Sequence, residues 1–437
     1  MLARQCTPAE RTNSRAICEG RLVRATGTIL QAELPQAAIG DLCTVWGAAP
    51  LRCLVIGFTG TLASLAPFDH PSGLSIGAPI VNSGRPVTLN GANITLGRLF
   101  DGIGEELTPN SGCAPQRAAG QVLEITATPP HPLTRRPISE ALLTGIRPID
   151  TLTPIGYGQR LALIAEAGVG KSTLLGMIAE RAAVDVAVIG LIGERGREVN
   201  EFIDGSLGTT GRRRSILVVS TSDETPLRRV FAPLTATRIA EFYRSQGKRV
   251  LLLIDSLTRY ARAVRDLGLA RGELPVRQGL TPSIYTELPR LFERAGNDSI
   301  GSITALYTVL APRDGEDDAL IEEVKSLLDG HIVLSNELRN RGFQPAIDPT
   351  RSISRLAPRL LTETENQHAR TITRSIYRLL KDRELIAFGG TPDLELAAAL
   401  RCEDTIGRFM HQSAAEIAPL TESRARAASL YRDLIGA

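Results

Sequence analysis

Lysine is nearly missing from this chain. Only Lys171, Lys248, Lys325 and Lys381 occur, so 46 of the 50 basic residues are arginine and a lysine standing inside a motif carries information. Metal-binding side chains are also sparse. Cys6, Cys18, Cys43, Cys53, Cys113 and Cys402 form no CxxC pair, and five histidines scattered from His70 to His411 give no zinc spacing. Such cysteines read as free thiols in a reducing cytosol. Aromatic residues make up 4% of the chain with Trp46 the sole tryptophan, which argues against a stacking groove for single-stranded nucleic acid. Charge of one sign is lacking too: 50 basic against 47 acidic residues leave +3, so a polyanion-coating role is excluded. The N-terminal MLARQCTPAERTNSR has no apolar core of signal-peptide type. The uncharged stretch from Cys53 to Phe68 is too short for a membrane span and is broken by Gly57, Gly60 and Pro67. These absences predict a protein made and kept inside the cell, with membrane contact only peripheral.

What is present is an ordinary globular composition, 43% hydrophobic and 22% charged, over 437 residues, enough for two or three domains. From about Ala16 to Arg98 the chain reads as short β-rich runs separated by Gly, Pro and Asn, which predicts a small all-β barrel. The Pro-rich passage Ala127 to Pro137 is then an extended connection. Apolar strands next alternate with longer helical stretches. Continuous runs such as Val250 to Ile254 are what a parallel sheet buried on both faces requires. Ligands of such α/β domains bind at the carboxyl ends of the strands. Beyond about Pro358, Ala, Leu, Glu and Arg dominate and predict a helical domain. The expected division is residues 1–95 (N-terminal β-barrel), 96–358 (α/β core) and 359–437 (C-terminal α-helical domain).

Ala165-Glu166-Ala167-Gly168-Val169-Gly170-Lys171-Ser172-Thr173 follows a predicted strand and opens a predicted helix, the context a phosphate-binding P-loop demands. Its glycines let the backbone curl so that successive N–H groups point at phosphate oxygens, and the helix start adds its positive end. Lys171 then reaches the β- and γ-phosphates, and the Ser172 hydroxyl sits on Mg²⁺. The bland alternative is a glycine-rich turn with an incidental lysine, against which the scarcity of lysine weighs. A second element, Arg249 to Asp255, is an apolar strand ending in an acid that stands beside the P-loop mouth, either for Mg²⁺ or as a helix N-cap. A third, Gly193-Glu194-Arg195-Gly196-Arg197-Glu198-Val199, follows the apolar run Val186 to Ile192. A carboxylate there is suited to orient an attacking water; otherwise the segment is a solvated charged turn.

These three elements in this order resemble the catalytic subunits of rotary ATPases and, more closely, the protein-export ATPases of type III secretion systems and flagella. The resemblance extends through TGIRPIDTLTPIGYGQRLALIAEAGVGKSTLL, the block from Thr221 to Pro275, GLTPSIYTELPRLFERAGN and PAIDPTRSISR, and is dense from about Leu96 to Arg355. It implies a core resembling RecA between the barrel and the helical domain. It matches Glu194 to the catalytic carboxylate, Arg195 to the neighbouring arginine and Asp255 to the magnesium-side acid. Arg259 matches an arginine near the phosphates, and Arg355 the finger inserted into a neighbouring subunit's site. ATP and Mg²⁺, a homohexamer, stalk and stator proteins, secretion chaperones and their substrates, and an apparatus at the cytoplasmic face of the inner membrane are implied with it. No nucleic acid is. Because one chain carries both Glu194 and Arg355, identical copies suffice to complete every site of a ring.

Three departures stand out. Phe343 is followed by Gln344 where the family has an aromatic immediately before Pro-Ala-Ile-Asp, Ala165 replaces the first P-loop glycine, and the acidic segment Arg313–Glu323 has its own composition. The flagellar and virulence branches stay undivided by these motifs. Gly196 and Val199 favour the export branch over an ATP synthase β-type subunit. A transcription-termination helicase is disfavoured by the lack of aromatics, and a non-hydrolysing scaffold requires an idle Glu194.

Overall fold

The computed structural model describes residues 18–107, 120–312, 318–382 and 390–436. Cys6, Cys113 and residues 313–317 of the acidic segment lie outside them. Residues alternating between apolar and polar build the first six strands, as in Pro50–Thr59, where Leu51, Cys53 and Val55 point inward. β1 (Cys18–Thr26), β2 (Ile29–Glu33), β3 (Leu42–Trp46), β4 (Pro50–Thr59), β5 (Leu62–Pro67) and β6 (Pro79–Asn82) close in the order β1-β2-β5-β4-β3-β6. Leu22, Leu30, Val45, Leu65 and Ile80 fill the barrel. Cys43 and Cys53 are buried free thiols in it. Burial pushes the Cys43 pKa up to about 12 and that of Cys53 higher still, so both are neutral fillers.

The sequence places the run from Pro86 to Leu99 with the β-rich barrel, and the structure differs. The barrel closes without it, by pairing of β1 with β6. β7 (Thr88–Asn90) instead pairs with β9 (Val122–Glu124), while β8 (Leu99–Asp101) adds to the edge of the central sheet. Val87, Leu89 and Ile94 accordingly pack into the core of that sheet.

The central sheet comprises β8 and seven further strands: β10 (Arg160–Ala165), β11 (Val186–Glu194), β12 (Ser215–Thr221), β13 (Arg249–Asp255), β14 (Ser302–Leu310), β15 (Gly330–Leu334) and β16 (Ile347–Ser354). Their order is β16-β15-β10-β14-β13-β11-β12-β8, with Gly296–Asn297 pairing off β14. All neighbours on this path are parallel except β16, which runs antiparallel to β15. Apolar clusters cover both faces, which is why β11 and β13 read as near-continuous hydrophobic runs and β14 is buried almost throughout.

The helices that matter below are α1 (Lys171–Arg181), α2 (Gly196–Glu201), α3 (Pro226–Arg244), α4 (Leu257–Ala270), α5 (Ala319–Leu327) and α6 (Asn336–Asn340). The described part of the acidic segment opens α5, where the Asp318 carboxylate caps Leu320 N at 2.8 Å and Ile321 N at 3.1 Å. The C-terminal part is helical, with α7 (Glu363–Lys381), α8 (Leu394–Arg401), α9 (Glu403–Met410) and α10 (Leu420–Ile435) around Ile372, Ile376, Ile406 and Leu430. Among the described residues, no helix is long and apolar enough to cross a membrane.

Arg228 on α3 ties barrel to core. It donates to Phe68 O at 2.9 Å, Asp69 Oδ1 at 2.7 Å and Asp101 Oδ2 at 2.6 Å. Arg228→Ala leaves Asp101, which is 7% exposed, without its cation. Loss of one partner of a buried pair costs about 3 kcal/mol. Chemical denaturation followed by tryptophan fluorescence should show that loss, with Trp46 on the barrel as the reporter.

Candidate active site

A phosphate ligand needs backbone N–H groups converging from one loop, and the end of β10 supplies them. Gly168 and Gly170 sit at φ of 80° and 95°, left-handed conformations that favour glycine, and α1 starts at Lys171. Gly168, Gly170, Lys171, Ser172 and Thr173 line a cavity of about 480 Å³ at the carboxyl end of the sheet. Val169 instead turns inward, 3% exposed, and anchors the loop in the core.

Glu194 ends β11 and Asp255 ends β13, so adjacent parallel strands deliver two carboxylates to the same cavity. The Lys171 ammonium pairs with Asp255 and stands 3.7 Å from Glu194. Asp255 also accepts a 2.7 Å hydrogen bond from Thr308 Oγ1 on β14. Its capping alternative is thereby settled: Ser256 holds the N-cap position of α4, and the Asp255 side chain is turned to Lys171. Arg259, in the first turn of α4, forms an ion pair with Glu194 in a contact not aligned as a hydrogen bond. Two carboxylates and two cations thus alternate around the cavity.

The remaining two arginines lie elsewhere. Arg195 is 79% exposed, pairs with Glu198 at 3.5 Å and does not line the cavity. Arg355 follows β16 at the opposite end of the sheet. Ser354 pairs with Gly330, the first residue of β15, and Arg355 donates from N to Asp329 O and from Nη2 to Lys325 O, both at 3.1 Å. The P-loop follows the last residue of β10, so about 20 Å of strand separates Arg355 from its own cradle. Beside it, burial pushes the His331 pKa down, with Lys325, Arg355 and Arg351 adding repulsion, so its imidazole adds no charge there.

Several contributors are silent in the sequence. Glu198, on α2, lines the cavity beside Glu194 and pairs with Arg195 at 3.5 Å. The π-helical turn Phe202–Leu207 brings Phe202 and Ser206 to the wall. On the far side of the P-loop a second cavity of about 200 Å³ is lined by Val169, Met177, Arg339, Phe343, Gln344 and Pro345, among others. Its only sequence signal is the irregular Phe343-Gln344 step.

The ATP synthase alpha/beta family nucleotide-binding domain matches residues 145–354. The flagellum-specific ATP synthase of Pseudomonas aeruginosa is 42% identical over 97% of this chain and 95% of its own length. The type 3 secretion system ATPase of Pseudomonas savastanoi pv. phaseolicola is 42% identical over 92% of each. The chain belongs to this family of export ATPases. The assembled ATPase EscN from the enteropathogenic E. coli type III secretion system superposes with a TM-score of 0.88 at 41% identity, covering 94% of this chain and all of that one. EscN solved with its central stalk EscO gives 0.86 at 40% identity. The three-part fold expected from the sequence is the fold of these export ATPases.

The π-helical turn fits against α1 only because residue 176 is glycine: a Cβ there would stand 2.1 Å from Ser206 O. Gly176→Ala should therefore cost about 2 kcal/mol of stability. Gly205→Ala, in open space on the same turn, should change it little. Urea titrations of both variants check the difference.

Proposed function

We propose that this chain hydrolyses ATP in a ring of identical copies and thereby energises protein export at a secretion apparatus. The observation that carries the reading is the alternation of Lys171, Asp255, Glu194 and Arg259 around one cavity at the P-loop. A structural ion-pair network has no need of a P-loop opening onto it, whereas phosphoryl transfer needs both.

In this mechanism the loop N–H groups and Lys171 hold the phosphate oxygens, Lys171 exchanging Asp255 for them. Glu194, kept in place by Arg259, accepts a proton from the attacking water as its oxygen bonds the γ-phosphorus and the bond to the ADP oxygen breaks. The donor set suits Mg²⁺. Ser172 and Asp255 both line the cavity and offer only oxygen. Mg²⁺ held by Ser172 and Asp255 would neutralise phosphate charge. The cavity beside Phe343 takes the base. Arg195, outside the pocket, supports Glu198 rather than the phosphates.

Arg355, exposed and too far from its own cradle, acts on a neighbour's γ-phosphate, so each site is completed by the adjacent copy. The barrel of β1 to β6 serves ring assembly and the central sheet with its helices the chemistry. The EscN complex supports a central stalk as a partner. A stator and attachment at the cytoplasmic face of the inner membrane complete the proposal. The relatives span flagellar and type III secretion systems alike, and nothing in the site favours one.

Lys171→Ala and Glu194→Gln should each abolish phosphate release while leaving circular dichroism unchanged; turnover retained in both refutes the assignments. Arg355→Ala should lower the rate on the order of a thousandfold. Mixing it with Glu194→Gln subunits should restore part of the activity at mixed interfaces. Absence of any rescue contradicts a finger acting in trans.

A further inference from the structure

Two threonines, Thr304 and Thr308, interrupt the apolar interior of β14, and both are fully buried. A hydroxyl taken out of water costs stability unless it is hydrogen-bonded, so each needs a partner. Thr304 has a structural one: its Oγ1 accepts from Gly158 N at 2.9 Å, in the turn that leads into β10. Thr308 is committed to the site instead. Its Oγ1 donates at 2.7 Å to Asp255 Oδ1, the same oxygen that Lys171 contacts. Strand order explains the meeting. β14 lies between β10 and β13, so Thr308 is level with Leu163, two residues before β10 ends at the phosphate loop. It also follows the pairing of Tyr307 with Ile254, which sets it beside Asp255. The end of β14 is fastened as well, Leu310 N donating to Thr258 Oγ1 on α4 at 2.9 Å.

We propose that Thr308 is a positioning residue: it keeps Asp255 oriented for Mg²⁺ after Lys171 has left for the phosphates, and so sets how strongly Mg²⁺ tightens nucleotide binding. This rests on the reading of the P-loop as a nucleoside triphosphate site. Without nucleotide, Lys171 and Thr308 share one oxygen of Asp255, and the ammonium alone would hold the carboxylate. Once phosphates draw Lys171 away, the hydroxyl is the contact that stays, because Thr308 does not line the cavity and meets no phosphate. Asp255, 3% exposed at its side chain, has little water to replace it. A carboxylate anchored through one oxygen presents the other in a fixed direction, and losing such an anchor costs about 10- to 100-fold in metal affinity. A neutral hydroxyl also holds the carboxylate without repelling a metal ion, which an ammonium at the same oxygen would do.

Equilibrium binding of a fluorescent, non-hydrolysable ATP analogue to the full chain, titrated with Mg²⁺ and repeated in EDTA, tests this. Thr308→Val keeps the shape and drops the hydroxyl. It should raise the Mg²⁺ concentration for half-maximal tightening about tenfold and leave binding in EDTA within about twofold of wild type. Thr308→Ser restores the donor and should return the Mg²⁺ dependence to within about threefold. Thr308→Ala should give the same split as the valine variant and stands in for it if that one does not fold. Thr304→Val controls for lost stability: it strips a hydrogen bond from the same strand away from Asp255 and should leave the Mg²⁺ dependence unmoved. Wild-type Mg²⁺ dependence in the valine or alanine variant, equal weakening with and without Mg²⁺, or a serine variant as impaired as the valine one overturns the positioning role and leaves the nucleotide site standing. A wild-type chain that binds the analogue in neither condition overturns the P-loop reading itself.

Discussion

Everything in this molecule depends on holding two carboxylates and two cations within one small space at the end of a parallel sheet. Lys171 alone would be a phosphate ligand without a reaction, and Glu194 alone a solvated acid. Parallel strands solve the placement because their carboxyl ends share one edge, so Glu194 and Asp255 arrive side by side and the P-loop helix starts opposite them. Asp255, 3% exposed at its side chain, is held by Lys171 and Thr308, and Glu194 is held by Arg259. Removal of any one member leaves the others under-compensated.

The same sheet gives the proposed ring its geometry. The antiparallel edge strand β16 carries Arg355 away from its own cradle and presents it outward, with Arg351 and Ile353 exposed on the same face. In the proposed function, a cation so placed acts on a neighbouring copy's phosphate. In the proposed ring, chemistry and assembly are therefore one constraint, and a lone subunit lacks a part.

Much of this was legible in the sequence because the phosphate loop packs its chemistry into consecutive residues, and because buried parallel strands announce themselves as runs such as Val186 to Ile192. Glu194 and Asp255 were found as acids ending such runs. The supporting contacts were not legible, since they join residues far apart in the chain: Thr308 reaches Asp255 across 53 positions and Lys171 reaches it across 84. Glu198 looked like part of a charged turn, and only the π-helical turn that follows explains its approach to the cavity. The run from Pro86 to Leu99 misled because its short strands carry the same turn residues as the barrel, and alternation alone does not say which sheet a strand joins. Gln344 was legible only as a departure from the family pattern after Phe343, and Arg339 beside it gave no motif signal.

The most direct measurement is a structure of the assembled ring with Mg²⁺, ADP and a planar fluoride mimic of the transferring phosphoryl group. The account predicts the Glu194 carboxylate on the water in line with the mimic, and Arg355 of the adjacent copy within hydrogen-bond distance of its fluorides. Glu194 turned away with no water opposite the leaving oxygen, or Arg355 remote from every interface, would contradict it.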